Sequence, residues 1–449
     1  MALVSFREYI SECDETRMVA AEYITGKGLF QKWCIFAAAS ALFVQCRLRY
    51  LGVNPIAGTM LGGNHADLPI LKSNKRLNGI VHKIGEGDLI GPESLVVGKY
   101  KGTEYIFAAL ADGRIVRIEG ADEDDDDDMR WSTVIRTGED HFLCGKGGPA
   151  DTTDTERICG RPLGLALVKR STVDPRATSK QQQDQDVLVA LDTLGLFLIT
   201  NIYHEESTAP TKRILATHAN GDTKPFHLLN AVQQTPDGSL YITETSTQFP
   251  RRRIFYAAHD AHPTGRLLRY TKANGVDVLL NNLYMPNGIT LSHDKESLIV
   301  VSGLQLLSYH LTSHELNVFV HAMPGTGDNI KTMDHLPSGE KLKCYWAALG
   351  SKCAAPFCLL HYFWNKPFLR SVLVSLVPYD ALVNVMPKFS AFAVYDEQGG
   401  LVEVYQDDED VTAPWLAEAE PLGKYIYLGS WWNPFLGRVL KEDLAVAYE

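Results

Sequence analysis

From about residue 78 the chain breaks into short β-rich runs separated by DG, NG, GG and PDG turn signals, and these runs recur as a repeat. Examples are YIFAALADGRIVRIE, VLVALDTLGLFLIT, LYITETS, GRLLRYTKANGVDVLL, SLIVVSG and YIYLGSWW. Each unit opens on a small-residue or Pro-Gly strand and ends on a strand of the type GRLxxY. Units start near Gly91 (GPESLVV), Gly160 (GRPLGLALV), Leu229 (LNAVQQT), Met285 (MPNGITL), Gly327 (GDNIKTM) and Trp415 (WLAEAEP). Six starts predict an all-β, six-bladed β-propeller, whose radial closure leaves few exposed strand edges. Insertions at Asp122 to Asp128, Gln181 to Asp186 and Pro356 to Pro387 account for the uneven spacing, and the run Gly79 to Ile84 is expected to supply the strand that closes the ring. Helix periodicity is scarce here, apart from Asn365 to Leu382.

The expected organisation is a polar N-terminal tail over residues 1–31, a hydrophobic segment over 32–50, a linker over 51–77 and the propeller over 78–449. The segment Trp33 to Val44 (WCIFAAASALFV) is shorter than the ~20 apolar residues that a spanning helix needs. It suits a signal-peptide core or a short signal anchor, with a buried helix as the alternative. Lys32, Arg47 and Arg49 flank both ends, so charge gives no orientation. No N-x-S/T sequon is present.

The net charge of -11 argues against a nucleic-acid partner, because phosphate binding needs clustered Lys and Arg. Much of that acidity is the run Asp122 to Asp128, read as a solvated loop or a weak cation patch. Among the 8 cysteines, Cys144 and Cys159 bracket the loop Gly145 to Ile158, which leaves a surface disulfide or two free thiols open. Cys353 and Cys358 are packing residues or a second bridge. No CxxC faces another CxxC or an HxxxH, so zinc is not expected.

In a propeller the first strand of each blade lines the axis, so residues at the unit starts face one another. Four of those starts carry Glu93, Asn230, Asn287 and Asp328, with Asn329 adjoining. All are hard oxygen donors, the kind calcium prefers, and two carboxylates balance a divalent charge. Taken singly, PNG, DN and GPE read as ordinary turns. Their recurrence at equivalent positions of four repeats points to one axial Ca2+ site, able to polarise a carbonyl or P=O bond.

The stretches GPESLVV, ADGRIVRIEG, CGRPLGLAL, LLNAVQQTPDGSLYITETSTQFPRRR, PNGITLS, GDNI and YLGSWWNPFLGRV resemble the strictosidine synthase-like family, in particular its animal membrane-anchored branch. The resemblance covers about residues 88 to 440. It implies a six-bladed propeller shared with paraoxonases and calcium-dependent lactonases, calcium ligands at Glu93, Asn230, Asn287 and Asp328 beside Asn329, and a Cys144–Cys159 disulfide. It also implies an N-terminal signal anchor, with the propeller at the plasma membrane, in the endomembrane lumen or secreted. Two departures stand out. Arg161-Pro162-Leu163 occupies the place where paraoxonases carry a catalytic histidine, and Glu418 falls near the glutamate that the plant alkaloid synthases use.

The leading expectation is a calcium-dependent hydrolase of small esters or lactones, arylesterase- or lactonase-like, with Asp328 as ligand and base or nucleophile. An amine–aldehyde condensing enzyme dependent on Glu418 is the second, and a non-catalytic membrane-tethered binding propeller the third. His227, His259 and His262 are weaker candidates for a base. Trp431, Trp432 and Phe435 are expected at the channel rim or in the core.

Overall fold

The computed structural model describes residues 29–58, 68–121, 129–144, 153–203, 208–384 and 386–445. The acidic run 122–128, most of the N-terminal tail and most of the cysteine-bracketed loop lie outside them. Two compact units result.

The larger unit is the propeller. Among its described residues, six antiparallel four-stranded sheets follow one another. The first five run in chain order over residues 95–136, 162–216, 228–283, 286–320 and 325–407. The sixth combines three strands over residues 416–440 with His82–Ile84, which pairs with Leu436–Leu440. The expected closing strand is therefore present, and it hides the last blade's outer edge from the pairing that an open edge invites. The first strands, Leu95–Tyr100, Pro162–Lys169, Leu228–Gln234, Pro286–Leu291, Gly325–His335 and Leu416–Leu422, each touch the next around a closed ring. They line the axis.

The continuous apolar runs follow from that geometry. Successive side chains of a strand point to opposite faces of the sheet, and in a propeller both faces meet another blade. Ile106 and Ala108 pack with Tyr427 and Leu436 of the sixth blade, while Phe107 and Ala109 pack with Leu188 and Ala190 of the second. Val187, Val189 and Leu191 then face Leu240 and Leu268 of the third. The same alternation continues through Val300 and Val301, then Ala347 and Ala348, until Ala419 and Ile426 meet Trp346. The core is thus a set of inter-blade seams distributed around the ring.

The inserted stretches carry helices. Lys180–Asp184 opens on a capping box between Ser179 and Gln182. The expected helical stretch 365–382 is two helices, Pro367–Leu376 and Tyr379–Asn384, broken at Val377-Pro378 because proline disfavours a helical residue before it. Disulfides join Cys144 to Cys159 and Cys353 to Cys358.

The smaller unit comprises residues up to 58 with 255–262 and 362–385. Its helix Leu29–Leu51 packs along Pro367–Leu376, where the Ser375 hydroxyl donates to the Val44 carbonyl at 3.4 Å. The buried Arg370 guanidinium gathers the carbonyls of His259, Trp364 and Ile56. Phe36, Phe43, Phe368 and Leu376 remain exposed. Among the described residues no helix is long and apolar enough to cross a membrane.

Candidate functional site at the propeller axis

Three of the axial strands carry their candidate site residues at a fault in their own ladder. In the third blade Leu229 pairs with Glu244 and Val232 with Ile242, so Asn230 and Ala231 oppose the single residue Thr243. In the fourth, Asn287 and Gly288 oppose Val301, between the pairs Pro286–Ser302 and Ile289–Val300. In the fifth, Asp328 and Asn329 oppose Ala348, between Gly327–Leu349 and Ile330–Ala347. These are β-bulges, which re-aim side chains that a regular strand would send to alternate faces. The second and sixth blades break register at the equivalent ladder position, where Leu163 and Ala417 stand. Glu93 lies just ahead of the first blade's ladder, its N–H donating to the Ala109 carbonyl at 3.0 Å.

The bulged backbones lie close together. A Cβ on Gly288 would fall 2.4 Å from the Asp328 carbonyl oxygen and 2.6 Å from Asn329 Cα, so the fourth and fifth axial strands meet there only because residue 288 is glycine. Thr243 Oγ1 donates to the Asn287 carbonyl at 2.6 Å, and Asn329 Nδ2 donates to the Glu93 carbonyl at 3.4 Å. Glu93, Asn230, Asp328 and Asn329 are buried, and Asn287 is half-buried.

Asp328 sits among like charges. Burial, and then the Glu93 and Glu418 carboxylates, push its carboxyl well above the usual range, while the Asn287 amide and Arg161 oppose that rise. Two buried oxygens, Asn287 Oδ1 and Asp328 Oδ1, have no hydrogen-bond partner. Unsatisfied acceptors are costly in a protein interior, and acceptor oxygens without donors are what a hard cation takes. Among the described residues no three His, Cys, Asp or Glu side chains form a metal cluster. The axial set is two carboxylates and three amides, so its donor chemistry fits calcium and no softer metal.

Arg161 enters this set from the second blade. It is fully buried, its Nη2 donating to Glu93 Oε2 at 2.6 Å and its Nη1 to the Gly91 carbonyl at 2.9 Å. In the sequence Arg161-Pro162-Leu163 marks only the place of a missing histidine, and nothing there signals this ion pair. Gly91, at φ +56°, leaves room for it: a Cβ there would lie 2.7 Å from the Ala111 Cβ and 3.4 Å from Arg161 Nη1.

One step further along the channel, Lys331 reaches Glu418 Oε1 at 3.6 Å, donates to the Leu95 carbonyl at 3.1 Å and pairs closely with Glu420. Glu418 Oε2 accepts from the Leu95 N–H at 3.4 Å. Burial pushes the Glu418 carboxyl up to about 7 against the opposing pull of Lys331. Glu418 is buried, on the sixth axial strand. Lys331 was missed; its signal was present two residues after Asn329, on the same face of the axial strand.

The Strictosidine synthase family profile matches residues 230–311, and the Strictosidine synthase-like N-terminal profile matches residues 71–118. The adipocyte plasma membrane-associated protein of Gallus gallus is 28% identical over 379 residues, covering 82% of this chain and 80% of the relative. Strictosidine synthase-like 10 of Arabidopsis thaliana is 26% identical over 355 residues, covering 77% and 84%. Over these stretches the chain is similar to the strictosidine synthase-like family. Among solved structures, a gluconolactonase of Xanthomonas campestris overlaps 86% of this chain and 98% of its own, at 12% identity and TM-score 0.47. A regucalcin of Agrobacterium tumefaciens, described as a calcium-binding protein, overlaps 86% and 94% at 15% identity and TM-score 0.42.

The remaining expectations divide by position. Trp431 and Trp432 are half-buried and pack on the buried Trp415 at 5.5 and 4.9 Å, and the Trp431 carbonyl accepts from Arg161 at 3.4 Å, so they border the site. Phe435 is in the core between the fifth and sixth blades. His259 and His262 belong to the smaller unit, where they bond to the Phe255 carbonyl and Asp260. His227 precedes the third axial strand and donates its N–H to Glu244.

Proposed function

We propose that the propeller is a metal-assisted hydrolase of small esters or lactones, with Glu93, Asn230, Asn287, Asp328 and Asn329 holding one calcium ion at the axis. The observation that supports this reading is a run of three consecutive bulges in axial strands, each carrying amide or carboxylate side chains, with Asn287 Oδ1 and Asp328 Oδ1 buried without donors. Bound there, calcium supplies Lewis acidity at a carbonyl oxygen.

The chain's own residues do the rest. Asp328 combines ligand and base roles: without a cation its carboxyl favours the proton, and a cation beside it favours the anion. Glu418 is poised to hold or release a proton near neutrality at Oε1, while the Leu95 N–H and Lys331 fix its orientation. The Trp431 and Trp432 rings offer an aromatic wall for an apolar acyl or aryl group.

Glu418 also supports a second reading, condensation of an amine with an aldehyde, which needs an acid–base group and no metal. Hydrolysis of phenyl acetate and simple lactones, with and without a chelator, separates the two. The hydrolase reading expects activity that the chelator abolishes and calcium restores, with the fold unchanged by circular dichroism. Chelator-resistant amine–aldehyde condensation lost in Glu418→Gln supports the second reading. Inactivity in every condition supports the binding-module alternative.

The two disulfides suit an oxidising compartment, lumenal or extracellular. In the smaller unit the exposed Phe36, Phe43, Phe368 and Leu376 support membrane association through that helix pair.

A further inference from the structure

We propose that Arg161 is a resident counter-cation of the axial site: its guanidinium and a bound divalent ion compete for Glu93, so Arg161 sets how weakly the metal binds. The proposal rests on the metal reading above and concerns this chain's own second-blade residue.

Three observations carry it. Arg161 stands just ahead of the second axial strand, two residues before Leu163, which occupies the ladder position that carries Asn230, Asn287 and Asp328 elsewhere, so the second blade offers no side-chain oxygen there and sends in a positive charge from two residues earlier instead. Its fork is committed to that site, with one arm on Glu93 Oε2 at 2.6 Å and the other on the Gly91 carbonyl at 2.9 Å. Finally, it is wholly buried, so water does not screen its field. With Glu93 and Asp328 ionised, Arg161 lowers the net charge offered to a divalent ion from two negative charges to one. An ion that takes Glu93 must either displace the guanidinium or share the carboxylate with it.

A merely structural strut makes the opposite forecast. If Arg161 only positions Glu93 and ties the first, second and sixth blades together, removing it loosens a ligand and weakens the metal. The experiment is calcium titration by calorimetry on the full chain, wild type against Arg161→Gln, with Glu93→Gln and the double variant completing a cycle. Apo-state thermal unfolding checks the fold, and Arg161→Met replaces Arg161→Gln if the latter does not fold.

The expected result is at least tenfold tighter calcium binding in Arg161→Gln than in wild type, a gain that disappears in the Glu93→Gln background. Arg161→Lys, which keeps the charge, should stay within about threefold of wild type. Equal or weaker binding in folded Arg161→Gln overturns the proposal and leaves the metal site standing. Absence of calcium binding in wild type and all variants overturns the metal reading and the proposal together.

Discussion

At the scale of single residues, buried ionisable groups carry most of the consequences. Asp192, fully buried behind the second axial strand, accepts from Thr137 Oγ1 at 2.6 Å and from the Leu194 N–H at 2.8 Å, yet burial pushes its carboxyl up to about 6. Its folded state therefore holds a proton more tightly than its unfolded state. The associated stability is complete below about pH 4 and lost as pH rises through 6, an effect of about 3 kcal/mol. Asp192→Asn removes the ionisation. Urea unfolding at pH 4, 5, 6 and 7 should show the variant gaining on wild type as pH rises; parallel curves would contradict the assignment. Lys331 offers a second case. Replacing it by Met strands Glu418 and Glu420 without their cation, and because the lysine side chain is a quarter exposed the expected loss is about 2–3 kcal/mol, below that of a fully buried pair. An unfolding free energy within 0.5 kcal/mol of wild type (roughly the scatter of a neutral surface substitution) would mean that the two carboxylates find other partners. That Asn230, Asn287, Asp328 and Asn329 lie in axial strands was legible from the sequence, because residue type and repeat position are both written there. Arg161 and Lys331 were not, because an ion pair across blades depends on which side chains the bulges turn inward.

At the scale of elements, the bulge is the unit that converts a repeat into a site. A strand without one would send Asp328 and Asn329 to opposite faces. The sequence marks the bulges only indirectly, as the small or polar pairs NA, NG and DN, which also read as turns. The turn signals located the blades correctly because DG and NG dipeptides need a particular backbone, whereas bulge register is decided by which residues the partner strand can pair. Gly288 gives a test at this scale. Its Cβ would run into the backbone of the fifth blade, so Gly288→Ala should force the fourth and fifth axial strands apart. The expected cost is about 1–3 kcal/mol in unfolding free energy, in the range of overpacking substitutions. Full stability in the variant would show that the strands are not held that close. The helical insertion illustrates the reverse limit: its apolar periodicity was readable over 365–382, and its break at Pro378 follows from a single residue.

At the scale of the whole molecule, stability is shared among seams that join each blade to the next, and closure makes the last seam depend on a segment far away in sequence. His82–Ile84 completes the sixth sheet, and Ile84 is buried with Leu95, Tyr427 and Leu436. A truncation that begins after residue 84 should expose the Leu436–Leu440 edge and lower the melting temperature, with concentration-dependent association as the visible result. Unchanged melting in a monomeric truncate would contradict the closure. Blade number was readable from six unit starts because the fold repeats a local pattern; the ring's closure was readable only as an unpaired β run before the first start.

The proposed chemistry requires axial oxygens from the first, third, fourth and fifth blades to share one divalent ion. Elemental analysis of the purified full chain after calcium loading and desalting tests this directly, with Asp328→Asn as the comparison. The expected result is about one calcium per wild-type chain and a clear deficit in a folded Asp328→Asn. A metal-free wild type, or a variant that retains the same content, would contradict it.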